Sequence, residues 1–331
     1  MAVDDEQTRV ADLSETDLLA RIFPLLPTGP RSLLGPGDDA AVLAAPDGRV
    51  VVSLDVLVEN RHFRRDWSSA ADVGWRAAMQ NLADIAAMGA RPTSLVVGLV
   101  LPADLPARWV TGLARGMAAA CVPSGVAIVG GDLSAGDEVV VAVTVHGDLE
   151  GRNPILRSGA HAGDVLAIAG VQGRSVAGMA LLQAGHPRAH LDLVDSYRRP
   201  RPILAAGPAA ADAGATAMLD VSDGLLRDAG RLALASGVVL DLLDPAEAFR
   251  ADLAVLDGAA RLLGVDPLEW VLAGGEDHGL LATFPGGADL PESFRVIGHV
   301  RAATGPEEAG RVLVNGAAAP VTARGWDHFR G

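Results

Sequence analysis

Alternating apolar and polar stretches predict strands and helices along the whole chain. One helix is predicted over Val73–Met88, and Gly89 after it is typical of a helix C-terminal cap. An earlier helix is predicted over Ser14–Leu26, with Ser14 as its N-cap. Further helices are predicted over 106–120 and 175–183 and in the Ala/Leu-rich segment after 242. Apolar, β-branched runs predict strands over 49–58, 94–102, 126–132, 137–149, 165–170 and 238–242, with another beginning near 215.

Short strands bounded by glycine alternate with helices in both halves, which favours an α+β fold with mixed sheets. The turn-rich segment 151–164 is the predicted domain boundary. We therefore expect an N-terminal domain over 1–150 and a C-terminal α+β domain over 151–331. A stretch rich in Arg, Pro and His that runs to Pro202 is predicted to be a linker.

One aspartate interrupts the predicted helix 73–88. Asp84 lies in the stretch NLADIAAMGA, and no cation lies three or four residues away to pair with it along the helix. Other acids also fall in or beside apolar sequence. They are Asp38, Asp39, Asp55, Asp132, Asp220, Asp223, Glu276 and Asp277. Any one of them has an ordinary interpretation as a helix cap or turn residue. Together they favour a site for hard cations, Mg²⁺ first, which serves a phosphorylated substrate.

The charge and composition narrow the class of protein. The chain has 331 residues and a net charge of −14. We therefore do not expect it to bind the negatively charged backbone of nucleic acids. The first residues, MAVDDEQ, lack a signal-peptide pattern, and no apolar run reaches membrane-spanning length, so a cytoplasmic protein is expected. Cys121 is the single cysteine, which excludes disulfides within the chain and cysteine-based zinc sites.

All 27 basic side chains are arginine, because the chain contains no lysine. Schiff-base chemistry, the P-loop lysine and the strand lysine of protein kinases are therefore excluded. A nucleotide would have to be bound through arginine, backbone amides and metal ions.

Seven motifs in order resemble the thiamine-monophosphate kinase family. They are GPGDDAAVL, Ser53-x-Asp55 followed by His62, NLADIAAMGA, GGD, DVSDGLL, GGED and GWDHF. The resemblance extends over about residues 14–329, nearly the whole chain. NLADIAAMGA and DVSDGLL also mark the wider superfamily of aminoimidazole ribonucleotide synthetase-like enzymes that use ATP. The resemblance implies two mixed α/β domains of that fold.

The implied reaction moves the γ-phosphoryl group of ATP to thiamine monophosphate and yields thiamine diphosphate. Direct in-line transfer with several Mg²⁺ ions needs positioning and charge neutralisation more than a nucleophilic side chain. The resemblance implies three groups of site residues. The residues expected to bind metal and phosphate are Asp39, Ser53, Asp55, Asp84, Asp132, Asp220 and Asp223, and of these Asp55, Asp84 and Asp220 are expected to be catalytic. The residues expected to contact ATP are Gly131, Asp132, Arg157 and Ser222. The residues expected to contact thiamine monophosphate are His62, Glu276 and Trp326.

The resemblance also implies a homodimer in which N-terminal strands close a barrel across a two-fold axis. Strands 95–101 and 139–145 are uniformly apolar, as expected if neither face is solvated. The chain departs from the family at His278 and Gly279, where GGEDYEL is usual, and this departure weakens the role given to Glu276.

Two alternatives stay open. One is another enzyme of the same superfamily, such as the aminoimidazole ribonucleotide synthetase, although the terminal GWDHF argues against it. The other is a non-catalytic subunit that binds Mg-nucleotide, although intact acids at the matched positions argue against that.

Overall fold

A computed structural model describes residues 8–36, 40–319, 321 and 325. The chain divides into two compact units. The first consists of the described residues up to Ile85 together with Pro92–Glu150. The second consists of Ala86–Arg91 and the described residues from Gly151 onward.

The first unit is built on a four-stranded mixed sheet. The strands of this unit are β1 (Ser32–Leu34), β2 (Val42–Leu43), β3 (Val51–Val58), β4 (Arg91–Leu101), β5 (Ala127–Ala135) and β6 (Val140–Asp148). The sheet has the order β3-β6-β4-β5, with β3 and β6 antiparallel and β4 and β5 parallel, and β1 and β2 form a separate pair. Its helices are α1 (Glu15–Ile22), α2 (Ala70–Ala87) and α3 (Ala107–Cys121).

The predicted cap of the first helix is confirmed. The Ser14 side chain accepts from the Asp17 backbone N–H, and the Asp17 carboxylate accepts from the Ser14 backbone N–H. The helix is shorter than predicted, because α1 ends at Ile22 and a 3₁₀ turn over Phe23–Leu25 follows. Pro24 in that turn lacks a backbone N–H and cannot continue an α-helix.

Helix α2 packs very closely against α3. A Cβ atom added to Gly74 would lie 2.0 Å from the Leu113 carbonyl oxygen, and one added to Gly116 would lie 2.0 Å from the Ala71 carbonyl oxygen. Only glycine permits so close an approach of two helix backbones. Gly89 follows α2 with φ 72°, and so its predicted role in ending the helix is confirmed.

The two faces of β3 differ sharply. Ser53, Asp55 and Leu57 alternate with Val52, Leu54 and Val56 along the strand, and the second set is exposed by 61, 56 and 39%. The exposed set is entirely apolar. The polar residues of β3 thus lie on the other face, where they meet α2.

The second unit contains a seven-stranded sheet. Its strands are β7 (Val165–Ala169), β8 (Ala217–Val221), β9 (Val238–Leu242), β10 (Gly279–Phe284), β11 (Phe294–Ala302), β12 (Val312–Val314) and β13 (Ala317–Ala318). They lie in the order β13-β12-β9-β11-β7-β10-β8, and all neighbours are antiparallel except β12 and β9. Its helices are α4 (Arg174–Gln183), α5 (Leu191–Arg198), α6 (Ala206–Asp212), α7 (Leu225–Ser236), α8 (Pro245–Ala248), α9 (Arg250–Leu263) and α10 (Pro267–Ala273).

The predicted linker up to Pro202 is wrong, because it contains α5. Leu193, Val194 and Tyr197 are buried, and a Cβ added to Gly178 of α4 would lie 2.1 Å from the Leu193 carbonyl oxygen. Close packing on α4 thus forms a helix where arginine and proline suggested a loop. Strand β11 was not predicted either.

The α+β prediction with mixed sheets is confirmed. In the described part of the chain, no helix is both long and apolar enough to cross a membrane.

Candidate active site

The polar face of β3 is hydrogen-bonded to α2. The Ser53 hydroxyl donates to Asp84 Oδ2 at 2.7 Å, which gives Asp84 a partner that the sequence did not reveal. The Asp55 backbone N–H donates to Asn81 Oδ1 at 3.1 Å, and Gln80 Nε2 donates to Asp55 Oδ2 at 3.2 Å. Asn81 and Gln80 lie three and four positions before Asp84, and each is therefore its neighbour on the helix surface. The Ser53-x-Asp55 motif and the NLADIAAMGA motif are therefore in contact within the first unit.

Three of these residues place oxygen atoms that could ligate a metal ion where a ligand can reach them. Ser53, Asp55 and Asp84 are half-buried, whereas Asn81 is fully buried and fixes the backbone of β3. Carboxylate and hydroxyl oxygens suit Mg²⁺, and no sulfur or imidazole ligand contributes to this pair of motifs. The chemistry of the donors fits a hard cation.

Gly131 and Asp132 lie on β5 beside a cavity of about 720 Å³ in the first unit. A Cβ added to Gly131 would lie 2.0 Å from the Val97 carbonyl oxygen of β4, so this position requires glycine. The other walls of the cavity are mostly apolar and come from α1, α3 and β4, with Ile22 and Met117 among them. An apolar cavity with a few polar groups at its edge is typical of a small-molecule site.

His62 follows β3 and is held by the end of that strand. Its Nδ1 accepts from the Val58 backbone N–H at 2.9 Å, and its own backbone N–H donates to the Val58 carbonyl. An accepting Nδ1 carries no proton, and so the neutral ring carries its proton on Nε2. His62 thus offers a hydrogen-bond donor at Nε2.

In the second unit the DVSDG and GGED motifs come together. The Glu276 backbone N–H donates to the Ser222 carbonyl at 2.9 Å, and a Cβ added to Gly275 would lie 2.1 Å from the same oxygen. Asp220 is buried in β8, with His278 Nδ1 3.2 Å from its Oδ2. The aspartates of one motif are therefore packed against the loop of the other.

Asp223 is held by two residues that the sequence did not single out. Its Oδ2 lies 2.7 Å from Arg231 Nη1, and its backbone N–H donates to Asp228 Oδ2 at 2.9 Å. Arg231 Nη1 also lies 2.6 Å from Asp228 Oδ1. Burial raises the pKa of Asp228 to about 6. The spacing of 228 and 231 by one helical turn was the available signal, but it does not reveal that Asp223 is their shared partner.

Asp277 holds the GGED loop on the N-terminus of α4. Its two oxygens accept from the backbone N–H groups of Arg174 at 3.1 Å and Ser175 at 2.8 Å. Burial raises the pKa of Asp277 to about 7, although backbone N–H groups at the helix start stabilise its charged form. Its flanking residues Glu276 and His278 adopt left-handed φ values of 69° and 53°. Asp277 is thus an anchor for the loop.

The departure at Gly279 has a packing explanation. A Cβ at this position would lie 2.9 Å from Gln172 Nε2 and 3.0 Å from the Ala169 carbonyl oxygen. A glutamate, which the family usually has here, would require these neighbours to move.

Arg157 lies apart from the DVSDG loop. The Met218 backbone N–H, near the start of β8, donates to the Leu156 carbonyl, whereas Ser222 follows the end of that strand. The Arg157 carbonyl accepts from Ser236, at the far end of α7 from Asp223. Arg157 is therefore held by its backbone near the start of β8 and at the last residue of α7, whereas Ser222 lies between the end of β8 and the start of α7.

Two predicted site residues, Asp39 and Trp326, lie outside the described residues. Within residues 8–36, 40–319, 321 and 325, no three His, Cys, Asp or Glu side chains form a cluster suited to a metal ion. The predicted ligands are divided between the units, with Ser53, Asp55, Asp84 and Asp132 in the first. Asp220 and Asp223 belong to the second.

Two family models match this chain. The N-terminal domain of AIR synthase related proteins matches residues 37–149, and the corresponding C-terminal domain matches residues 161–305. Among solved structures, AaThiL complexed with AMPPCP and TMP is 30% identical with a TM-score of 0.76, and the match covers 98% of this chain and 100% of that one. Thiamine-monophosphate kinase from Stenotrophomonas maltophilia is also 30% identical, with a TM-score of 0.73 and coverage of 91% and 95%.

Curated sequences agree with these structural matches. The thiamine-monophosphate kinase of Mycobacterium tuberculosis is 52% identical over 287 residues, which covers 86% of this chain and 82% of that protein. The thiamine-monophosphate kinase of Corynebacterium glutamicum is 45% identical over 275 residues, covering 80% of each. The chain therefore belongs to the thiamine-monophosphate kinase family and is an enzyme of that family.

Proposed function

We propose that this enzyme transfers the γ-phosphoryl group of ATP to thiamine monophosphate by direct in-line displacement with several Mg²⁺ ions. The observation that carries the proposal is the hydrogen-bonded contact of Ser53 and Asp55 on β3 with Asp84 and Asn81 on α2. The relative complexed with AMPPCP and TMP supports the choice of substrates, because AMPPCP is an ATP analogue.

Phosphoryl transfer between two phosphates brings together several negative charges. Mg²⁺ would neutralise the transferring group and orient the phosphate oxygens when bound. The proposed ligands are Asp39, Ser53, Asp55, Asp84, Asp132, Asp220 and Asp223. The half-buried oxygen donors on β3 and α2 fit this metal by their chemistry. Asp223 would use Oδ1, since Arg231 contacts its Oδ2.

For ATP, the proposal uses two surfaces. Gly131 and Asp132 border the apolar cavity of the first unit, whose size and walls suit a purine ring. Ser222 and Arg157 would contact the nucleotide from the second unit. Arginine suits this role because its planar guanidinium binds phosphate oxygens in pairs.

For thiamine monophosphate, the proposal uses His62, Glu276 and Trp326. His62 would donate from Nε2 to the substrate phosphate, because its Nδ1 is occupied by the Val58 N–H. Glu276 is tied through its backbone to Ser222. In this proposal, the loop that contacts thiamine monophosphate and the loop that contacts ATP are hydrogen-bonded to each other in the second unit.

We also propose that the enzyme is a homodimer in which the first unit's sheet pairs across a two-fold axis. The exposed face of β3 supports this, because Val52, Leu54 and Val56 form a continuous apolar stripe in the single chain. Covering that stripe with its own copy would remove it from water. A cytoplasmic location stays a prediction.

The function is tested by following ATP turnover with Mg²⁺ and each candidate substrate. We expect ADP and thiamine diphosphate in equal amounts, formed only when thiamine monophosphate is present. Turnover with an aminoimidazole precursor instead would assign the chain to another superfamily reaction. Nucleotide binding without any turnover would identify a non-catalytic subunit.

His62→Ala should raise the KM for thiamine monophosphate by roughly tenfold or more, the cost of one hydrogen bond to a charged group. The KM for ATP should change much less. His62→Asn is the matched control, since its amide oxygen can still accept from the Val58 N–H while Nε2 is lost. It should be as impaired as His62→Ala. Recovery of the KM in His62→Asn would mean that His62 only holds the strand end.

The dimer is tested by sedimentation at micromolar concentration. The unmodified protein should sediment as a dimer and Leu54→Glu as a monomer, because a charge would enter an apolar interface from both copies. Leu234→Glu, at a leucine of α7 that is also exposed, should stay dimeric. A monomeric unmodified protein, or a dimeric Leu54→Glu variant, would contradict the proposal.

A further inference from the structure

The segment that carries Arg157 is fixed at several backbone positions in the second unit. The Ile155 N–H donates to the Met88 carbonyl at 3.1 Å, and the Leu156 carbonyl accepts from the Met218 N–H at 3.0 Å. A Cβ added to Gly159 would lie 2.2 Å from the Thr216 carbonyl oxygen. The backbone on both sides of Arg157 is thus packed against β8.

One side chain closes the remaining turn. The Ser236 hydroxyl donates to the Arg157 carbonyl at 2.9 Å and accepts from the N–H groups of Gly159 and Ala160, each at 3.1 Å. A hydroxyl has one donor and two acceptor sites, and so all of its capacity is used here. Ser236 alone satisfies three backbone groups of this turn.

The Arg157 side chain itself is exposed. Among the described residues, no carboxylate lies within ion-pair distance of its guanidinium. A long side chain loses conformational freedom when it binds a ligand, and a fixed backbone reduces the additional ordering that binding requires. A rigid turn beneath an exposed arginine therefore favours binding of an anion.

We propose that Ser236 is a positioning residue that holds the 157–160 turn so that Arg157 contacts the phosphates of ATP. This inference rests on the proposed function, which gives Arg157 its ligand. It also gives α7 a role at both of its ends. The loop with Ser222 and Asp223 precedes its first residue, and Ser236 is its last residue. One helix thereby supports both nucleotide-binding segments of the second unit.

The test compares Ser236→Ala with Ser236→Thr, which keeps the hydroxyl, and Ser236→Cys, whose thiol is a weaker hydrogen-bonding group. Calorimetry with a non-hydrolysable ATP analogue and Mg²⁺ gives the affinity, and kinetics give both KM values. Ser196→Ala is the matched control, because the Ser196 hydroxyl also donates to a backbone carbonyl, that of Asp192, at 2.9 Å.

Ser236→Ala should weaken nucleotide affinity roughly five- to tenfold, the range expected when about one net hydrogen bond is lost. The KM for thiamine monophosphate should hold its unmodified value. Ser236→Thr should restore the affinity and Ser236→Cys should be intermediate. Ser196→Ala should bind nucleotide normally and controls for any general loss of thermal stability. In an Arg157→Ala background, Ser236→Ala should cause no further loss, since the two residues act through one contact.

Three outcomes would overturn the inference while leaving the ATP contact of Arg157 intact. They are normal nucleotide affinity in Ser236→Ala when Arg157→Ala is impaired, additive losses in the double variant, and equal changes in both KM values. Normal affinity in Arg157→Ala would instead overturn the assignment of Arg157 in the proposed function.

Discussion

The contact between β3 and α2 is the constraint on which the candidate site depends. It joins Ser53 to Asp84 and the backbone of Asp55 to buried Asn81. The helix can occupy this position because Gly74 and Gly116 let α2 and α3 approach at backbone distance. Packing of α2 on α3 at Gly74 thereby fixes the helix that carries Asp84, ten residues farther along.

Because the chain has no lysine, the positive charge that a nucleotide site needs must come from arginine and metal ions. Lysine is the point charge that many nucleotide sites use, and here its role must pass to arginine and to metal ions. In the second unit, one arginine binds carboxylates of the candidate site and another is proposed to bind phosphate. Arg231 holds Asp223 and Asp228, whereas Arg157 stands exposed on a turn fixed by Ser236. Net negative charge and anionic substrates are compatible only if cations intervene, which is why Mg²⁺ is central to the proposal.

Much of the fold could be predicted from local sequence. The Ser14 cap, the end of α2 just before Gly89 and the apolar strands follow from short-range signals, and the structure confirms them. Helix α5 could not be predicted in this way. Its sequence is rich in charged residues, and it forms because Leu193 and Tyr197 pack on Gly178 of α4.

The assignment of the acids to one site is a prediction from motif order, and motif order does not predict their hydrogen-bond partners. These partners come from distant positions. Examples are Ser53 for Asp84, 31 residues apart, and His278 for Asp220, 58 residues apart. Such pairings depend on which strand lies beside which helix. The same reason explains why Ser236, which is 79 residues from Arg157, was not identified from sequence.

The most direct test of the account is Asp84→Asn, measured by melting with and without Mg²⁺ and by the kinase assay. Asparagine keeps an oxygen that can accept from the Ser53 hydroxyl, so stability without metal should stay level or rise. Activity should fall roughly a hundredfold or more, on the scale of losing one preorganised charge contact to a transferring group. A destabilised Asp84→Asn enzyme with full activity would contradict the account, because Asp84 would then serve the fold alone.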